Sequence, residues 1–307
     1  MKSPQTILTD YLAMRRSLGF KLQKHEPVLR EFLRFFATQK ASYLTAELAL
    51  QWARKPQHTD PAWWTSRLSI LRGFATYWKT IDARTEIPSR HVLIRQYKRP
   101  APFIYTDQQI IQILDSTRQL SSQDNLAYWA LFGLLRVTGM RVGEALTLNN
   151  ADVDLDEGTI TIQNAKLNTS RLLSLHSTTQ AALKQYVTKR NRQFTCRRDT
   201  PFFVTRNASR PLYTTVRQTY RRVLFDLGIR KPGQHKGPRL HDLRHTFAVR
   251  SFVSFYEEGQ DIDARIHALS TYLGHTSISR TYWYLTAIPE LMGLALSRLE
   301  EKIGGAV

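Results

Sequence analysis

The sequence predicts a mainly α-helical chain of two domains that carries one small antiparallel β-hairpin. Three observations lead there. Apolar residues recur at helical spacing over most of the length, two-residue alternation is confined to one short stretch around Thr159–Ile162, and 307 residues exceed the roughly 100–200 that a single domain usually takes. The basic, proline-punctuated stretch Tyr97-Lys98-Arg99-Pro100-Ala101-Pro102 favours an extended connector. The division therefore falls into residues 1–98, a linker at 99–105, and 106–307.

In the first domain Leu8, Tyr11, Leu12 and Leu18 set one helical face and Leu29, Phe32, Leu33 and Phe36 a second, with Gly19 between them. A third helix fits Thr45 to Arg54. A fourth runs from Pro61, a residue suited to the first turn, to Lys79 and buries Trp64, Leu68, Leu71, Ala75 and Trp78. The second domain opens on Thr106-Asp107-Gln108-Gln109, which resembles a capping box, ahead of Ile110, Ile111 and Leu114. A helix from Asn125 to Val137 is broken at Thr138-Gly139, and a new one begins that carries Arg141 and Glu144. Asp154 to Gly158 reads as a turn, Thr159 to Ile162 as a strand, and Arg171 to Leu175 as its partner across a hairpin that holds Lys166. Beyond residue 177 the pattern is helical to the end, with Pro238 a suitable helix start before His241.

The charge balance narrows the function class. Forty-four Lys and Arg against 25 Asp and Glu give a formal net charge of +19. The excess is spread along the chain: residues 1–106 hold 18 bases and 7 acids, the remainder 26 and 18. A polyanion partner is implied, nucleic acid first, with both halves in contact. One cysteine, Cys196, excludes an internal disulfide and a cysteine-built zinc site, which suits a reducing cytoplasm. No apolar run approaches the roughly 20 residues that span a bilayer, and a soluble protein without membrane contact is expected. Asp152, Asp154, Asp156 and Glu157 cluster, but at a strand-opening turn and without EF-hand spacing, so no metal is expected there.

Four segments hold side chains able to do chemistry. Arg141 follows a tight turn in Thr138-Gly139-Met140-Arg141-Val142-Gly143-Glu144, and Glu144 is placed to orient its guanidinium or simply to pair with it at the surface. In Leu240-His241-Asp242-Leu243-Arg244-His245-Thr246, His241 and Arg244 share a helical face: arginine offers a planar fork to two phosphate oxygens, and histidine donates or moves a proton near neutral pH. Gly274 ends a helix that buries Ile266, Leu269 and Leu273, and so delivers His275 to a turn, where it can face a ligand or cap the helix. Tyr284 by itself reads equally as a core tyrosine.

Together these segments resemble the tyrosine recombinase family, the phage-integrase and Xer-like enzymes. The order is an Arg-x-Gly-Glu helix start, a hairpin lysine, His-x-Leu-Arg-His-Thr, Leu-Gly-His, and a tyrosine nine residues after that last histidine. The match is specific over residues 130–285. The resemblance implies a two-domain architecture, a helical, SAM-like core-DNA-binding domain followed by an α+β catalytic domain. It implies site-specific strand exchange through a covalent 3′-phosphotyrosine, in integration, excision or resolution of a mobile element. Carried over, Tyr284 is the nucleophile, Arg141 and Arg244 clamp the phosphate, His241 and His275 contact it, and Lys166 is the hairpin lysine, with Glu144 and His245 in support. Tyr282 is a rival nucleophile on chemical grounds, but its spacing from His275 is wrong.

The chemistry fits those residue types. Attack on a phosphodiester concentrates negative charge on two non-bridging oxygens, which two arginines answer, and the departing 5′ oxygen needs a proton, for which Lys166 is the candidate. No cofactor is expected, since a phosphotyrosine stores the bond energy. The implied partner is double-stranded DNA bearing inverted repeats, engaged by a homotetramer that exchanges C-terminal helices, with accessory proteins able to set direction. The work is expected at the nucleoid in the cytoplasm. For that helix, Leu291, Leu294, Leu296 and Leu299 form an apolar set that suits packing on a neighbour or on its own chain. Alternatives are a type IB topoisomerase-like enzyme and a non-catalytic DNA-binding protein of the same fold.

Overall fold

Side-chain caps open most of the helices of the first unit. The computed structural model describes residues 2–57, 59–93, 101–120, 124–163, 170–234 and 237–304. These divide into two compact units, the first within residues 2–93 and the second from Ala101 onward. The first holds α1 (Pro4–Ser17), α2 (His25–Thr38), α3 (Ala46–Arg54) and α4 (Pro61–Lys79). Ser3, Thr45 and Asp60 each accept a backbone N–H of the helix that follows, satisfying donors that the helix itself cannot. Gly19, at φ +82°, makes the turn between α1 and α2.

The apolar faces meet in a core rich in aromatic side chains. Phe32 packs edge-on against Trp52 with ring centres 5.1 Å apart, and Phe36 against Trp78 at 5.3 Å. Arg67 is also buried there. It bonds both oxygens of Glu31 and the Trp52 carbonyl while its guanidinium lies 3.9 Å from the centre of the Trp52 ring. Trp64, expected in the core, is half-buried and donates its indole N–H to the Pro56 carbonyl.

In the second unit Thr106 and Gln109 form the expected capping box at α5 (Asp107–Arg118). Ile110 and Ile113 are buried from this helix, whereas Ile111 is exposed. The far end of the stretch read as a linker belongs to this unit: Tyr105 is fully buried, its N–H on Thr246 and its hydroxyl on the Arg239 carbonyl. Next come α6 (Asn125–Thr138) and α7 (Val142–Thr147). The sheet has three antiparallel strands, β1 (Val153–Asp154), β2 (Thr159–Gln163) and β3 (Ser170–Ser174), in that order, with Ile160 opposite Leu173. β1 was not expected, because two residues carry no periodicity. Lys166 lies outside the described residues.

After the sheet come α8 (Ser177–Asn191), α9 (Tyr213–Asp226), α10 (Asp242–Glu257), α11 (Ile262–Leu273), α12 (Ser279–Ala287) and α13 (Pro289–Gly304). Two departures from the expected helical run stand out. Between α8 and α9 the chain is held out of helix by the Asn150 side chain, which donates to the Arg197 and Thr200 carbonyls, and by an Asn149–Pro201 bridge. The helix expected from Pro238 begins at Asp242, because the Asp242 carboxylate accepts the Arg239 N–H at 2.7 Å and closes a turn ahead of it. The acidic turn is spent locally: Asp154 accepts the N–H groups of Asp156 and Glu157, and Asp152 those of Asn149 and Gln163. Among the described residues no helix is long and apolar enough to cross a membrane.

Candidate active site

The site is built on the C-terminal end of α11. The last carbonyls of a helix have no partner within it and carry the negative end of its dipole. Here three arginines from three other elements take them. Arg171 of β3 donates Nε to the Tyr272 carbonyl at 2.9 Å, Arg244 of α10 donates Nη2 to that of Leu273 at 2.8 Å, and Arg141 donates Nη2 to that of Gly274. Gly274 sits at φ +65°, and a Cβ there would lie 2.7 Å from the Arg171 guanidinium and 3.4 Å from that of Arg141. Glycine is required twice over, for the left-handed turn and for the approach of two cations.

Arg141 reaches this point because α6 stops at Gly139, also left-handed at φ +59°, where a Cβ would run into the Phe247 ring. The Gly139 carbonyl in turn accepts Nη1 of Arg244 at 2.8 Å. Glu144 is the shared counter-charge. Its carboxylate takes the backbone N–H of Arg141 at 2.8 Å, Nη1 of Arg141 at 2.7 Å, and Nη1 and Nη2 of Arg171 at 3.1 and 2.7 Å. Burial pushes this carboxyl up, but the bonds from Arg171 and Arg141 outweigh it and hold it below the usual carboxylate range. Arg244 is moved the other way. Burial first, then the neighbouring Arg141, lower it to about 10, so it remains a cation at neutral pH.

His241 forms the N-cap of α10 and is exposed, its ring edge-on to that of His245 with centres 4.8 Å apart. His275 follows Gly274 in the turn after α11. Its N–H donates to the Ser270 carbonyl, and its Nδ1 lies 2.7 Å from the hydroxyl of Thr281, itself fully buried. Tyr284, on α12, is 1% exposed and packs among Ala248, Val249, Phe252, Leu269 and Leu273. Its hydroxyl lies 2.7 Å from Nδ1 of His245. Tyr282 is 40% exposed, and its hydroxyl faces Asp263 near the opposite end of α11.

The fold thus gathers Arg141, Glu144, Arg244, His241, His245, His275 and Tyr284 around one helix end and the start of another. Two members were not singled out by the sequence reading in the roles they take. Arg171 is the second arginine on Glu144, and Asp242 is a carboxylate 1% exposed with Oδ1 3.9 Å from Nε2 of His245. The one-residue step from His241 to Asp242 and the three-residue step to His245 were the available signals. Among the described residues no group of three or more His, Cys, Asp or Glu side chains is placed to hold a metal ion.

The phage integrase family matches residues 104–290 of the chain. The integrase/recombinase-like protein y4rB of Sinorhizobium fredii is 37% identical over 309 residues, covering 98% of either chain. The tyrosine recombinase XerA of Pyrococcus furiosus is 27% identical over 207 residues, 66% of this chain and 65% of that one. Among solved structures, the Tn1549 transposon integrase in complex with transposon right end DNA aligns with a TM-score of 0.66 at 15% identity, over 95% of this chain and 99% of that one. The XerH recombinase bound to palindromic difH substrate after cleavage aligns at 0.64 and 18% identity, over 90% and 77%. These two likenesses establish the fold.

Proposed function

The chain belongs to the phage integrase family of tyrosine recombinases, enzymes that cut and rejoin DNA strands through a covalent phosphotyrosine, and from that premise we propose that Tyr284 is its nucleophile. Arg141 and Arg244 bind the scissile phosphate, and His241 and His275 donate to it. Lys166 protonates the departing 5′ oxygen. Glu144 and His245 support them. The observation that carries this reading is the convergence of Arg141 and Arg244 on consecutive carbonyls at Leu273 and Gly274, with His275 next in the chain.

A guanidinium has five N–H groups, and these contacts commit only some of them. The carbonyls fix the plane of each fork before DNA arrives, so the remaining donors meet the developing charge without reorganising. Such a donor is worth on the order of 3 kcal/mol in the transition state. Arg244, withdrawn from water, acts at low effective dielectric, where its charge is felt most strongly. Tyr284 attacks phosphorus, the bond to the 5′ oxygen breaks, and a 5′ hydroxyl of another strand later reverses the step. No nucleotide cofactor enters.

The substrate is double-stranded DNA bearing inverted repeats, bound at the nucleoid, with the four-helix first unit as the core-site-binding module and four protomers in the synaptic assembly. The positive excess in both halves of the chain supports contact along the duplex by both. On α13, Leu291 is fully buried in its own unit, while Met292 and Leu296 are each 56% exposed. That exposed pair supports docking of the helix on a neighbouring protomer. The direct test is a nicked suicide site. Wild type should yield a denaturant-resistant protein–DNA adduct that Tyr284→Phe lacks and Tyr282→Phe retains; an adduct from Tyr284→Phe would overturn the assignment.

A further inference from the structure

Beneath the candidate site lies a buried line of three polar side chains. Tyr284 Oη is 2.7 Å from His245 Nδ1, and His245 Nε2 faces Asp242 Oδ1 at 3.9 Å. All three residues are at most 4% exposed. His245 and Asp242 share one face of α10, three residues apart, and Tyr284 reaches them from α12. Asp242 is itself fixed, because Arg239 donates its backbone N–H at 2.7 Å and its guanidinium at 3.4 Å to the carboxylate.

We infer that His245 accepts the phenolic proton of Tyr284 as Oη attacks phosphorus, and that Asp242 orients His245 for this step. The inference rests on Tyr284 as the nucleophile. A carboxylate facing Nε2 favours the tautomer with its proton on that nitrogen, which leaves Nδ1 as the acceptor. In cleavage the Oη–H bond breaks and its proton passes to Nδ1 as the Oη–P bond forms, and the bond from phosphorus to the 5′ oxygen breaks as Lys166 gives that oxygen a proton. In rejoining, a 5′ hydroxyl oxygen bonds phosphorus and yields its proton to Lys166, while Oη leaves phosphorus and takes back the proton held on Nδ1.

Asp242 stabilises the intermediate imidazolium at short range in a dry setting, where a bare cation would be costly. The other two histidines are placed differently. His241 is exposed at the N-cap, and His275 turns its Nδ1 to Thr281. His245 is the histidine whose Nδ1 lies within hydrogen-bond distance of the Tyr284 hydroxyl. Asp242 is a positioning residue in this scheme, since it acts through the imidazole.

The test compares two nicked suicide sites, one with an ordinary scissile phosphate and one with sulfur in place of the bridging 5′ oxygen. A thiol leaving group titrates near 8.5, by analogy with cysteine at roughly that value, and departs without a proton, so defects in leaving-group protonation vanish on the sulfur site. Loss of the base for the nucleophile persists on both. His245→Asn keeps an acceptor near the Nδ1 position but takes no proton, and should slow adduct formation about a hundredfold or more on both sites. His245→Gln serves as the second variant, and melting temperature with site-DNA binding reports that each variant is folded.

Asp242→Asn, which preserves an oxygen for the Arg239 N–H, should slow cleavage about tenfold on both sites with unchanged DNA affinity, and Asp242→Glu should recover part of the loss. Folded His245 variants that cut within about twofold of wild type, or that recover on the sulfur site, would overturn the inference. An adduct from Tyr284→Phe would instead overturn the nucleophile beneath it.

Discussion

At the scale of single residues, the site depends on a position that has no functional group. Gly274 is the residue around which Arg141 and Arg171 close, and Gly274→Ala would place a methyl 2.7 Å from one guanidinium in a backbone conformation that costs an alanine about 1–2 kcal/mol. The expected result is a melting temperature a few degrees lower and cleavage slower by on the order of a hundredfold, because the arginines are displaced while their chemistry is intact. Arg244→Lys tests the fork. An ammonium cannot bridge the Gly139 and Leu273 carbonyls and still present a plane to phosphate, so cleavage should fall roughly a hundredfold with site binding largely kept. Near-normal cleavage in either variant would contradict this description. The resemblance to the tyrosine recombinases, carried by the order and spacing of the motifs, brought Arg141, Arg244, His275 and Tyr284 forward as a set. Spacing said nothing of where Arg244 spends its donors, since its partners lie 105 and 29 residues away, nor that the Tyr284 hydroxyl would meet His245.

At the scale of elements, Glu144 ties the first turn of α7 to β3 through Arg171. Its side chain is 12% exposed and its carboxyl is held below the ordinary 4.5, so its contribution is fully present above that value and is lost as pH falls through the lowered one. Glu144→Gln should therefore cost about 2–3 kcal/mol near neutral pH, and the gap from wild type should close progressively in acid. Denaturation curves across pH check this; a gap that widened in acid would refute it. The exposed pair on α13 carries a separate expectation: Met292→Glu with Leu296→Glu should leave the melting temperature within a few degrees of wild type and abolish cooperative site binding, whereas preserved cooperativity would remove the helix from the assembly. Helices were readable where caps and periodicity agreed, as at Thr106 and Gly139. They were misread where a side chain outcompeted the helix, as Asp242 does by closing the turn before α10 and Asn150 by holding the segment around Thr200. The two-residue β1 exists only through its pairing with Ile160 and Thr159, which no local pattern records.

At the scale of the whole molecule, charge and chemistry have different addresses. The basic excess runs through both halves of the chain, whereas Arg141, Glu144, His241, Arg244, His245, His275 and Tyr284 all belong to the second unit. Affinity for DNA should accordingly fall about a thousandfold or more between about 50 and 200 mM salt, as counterions return to the phosphates. A tenfold loss or less over that range would mean a smaller footprint than the charge distribution supports. The two-domain division was legible from length and the proline-punctuated basic stretch, because composition records it, while the burial of Tyr105 beneath Thr246 was not, because that contact spans 141 residues. The proposed chemistry stands on a covalent bond from DNA to Tyr284. It is tested most directly by trapping the adduct on a suicide site, digesting the protein and DNA, and mapping the nucleotide-bearing peptide by mass spectrometry. The nucleotide should be found on Tyr284; a nucleotide on Tyr282, or on any other residue, would contradict the assignment.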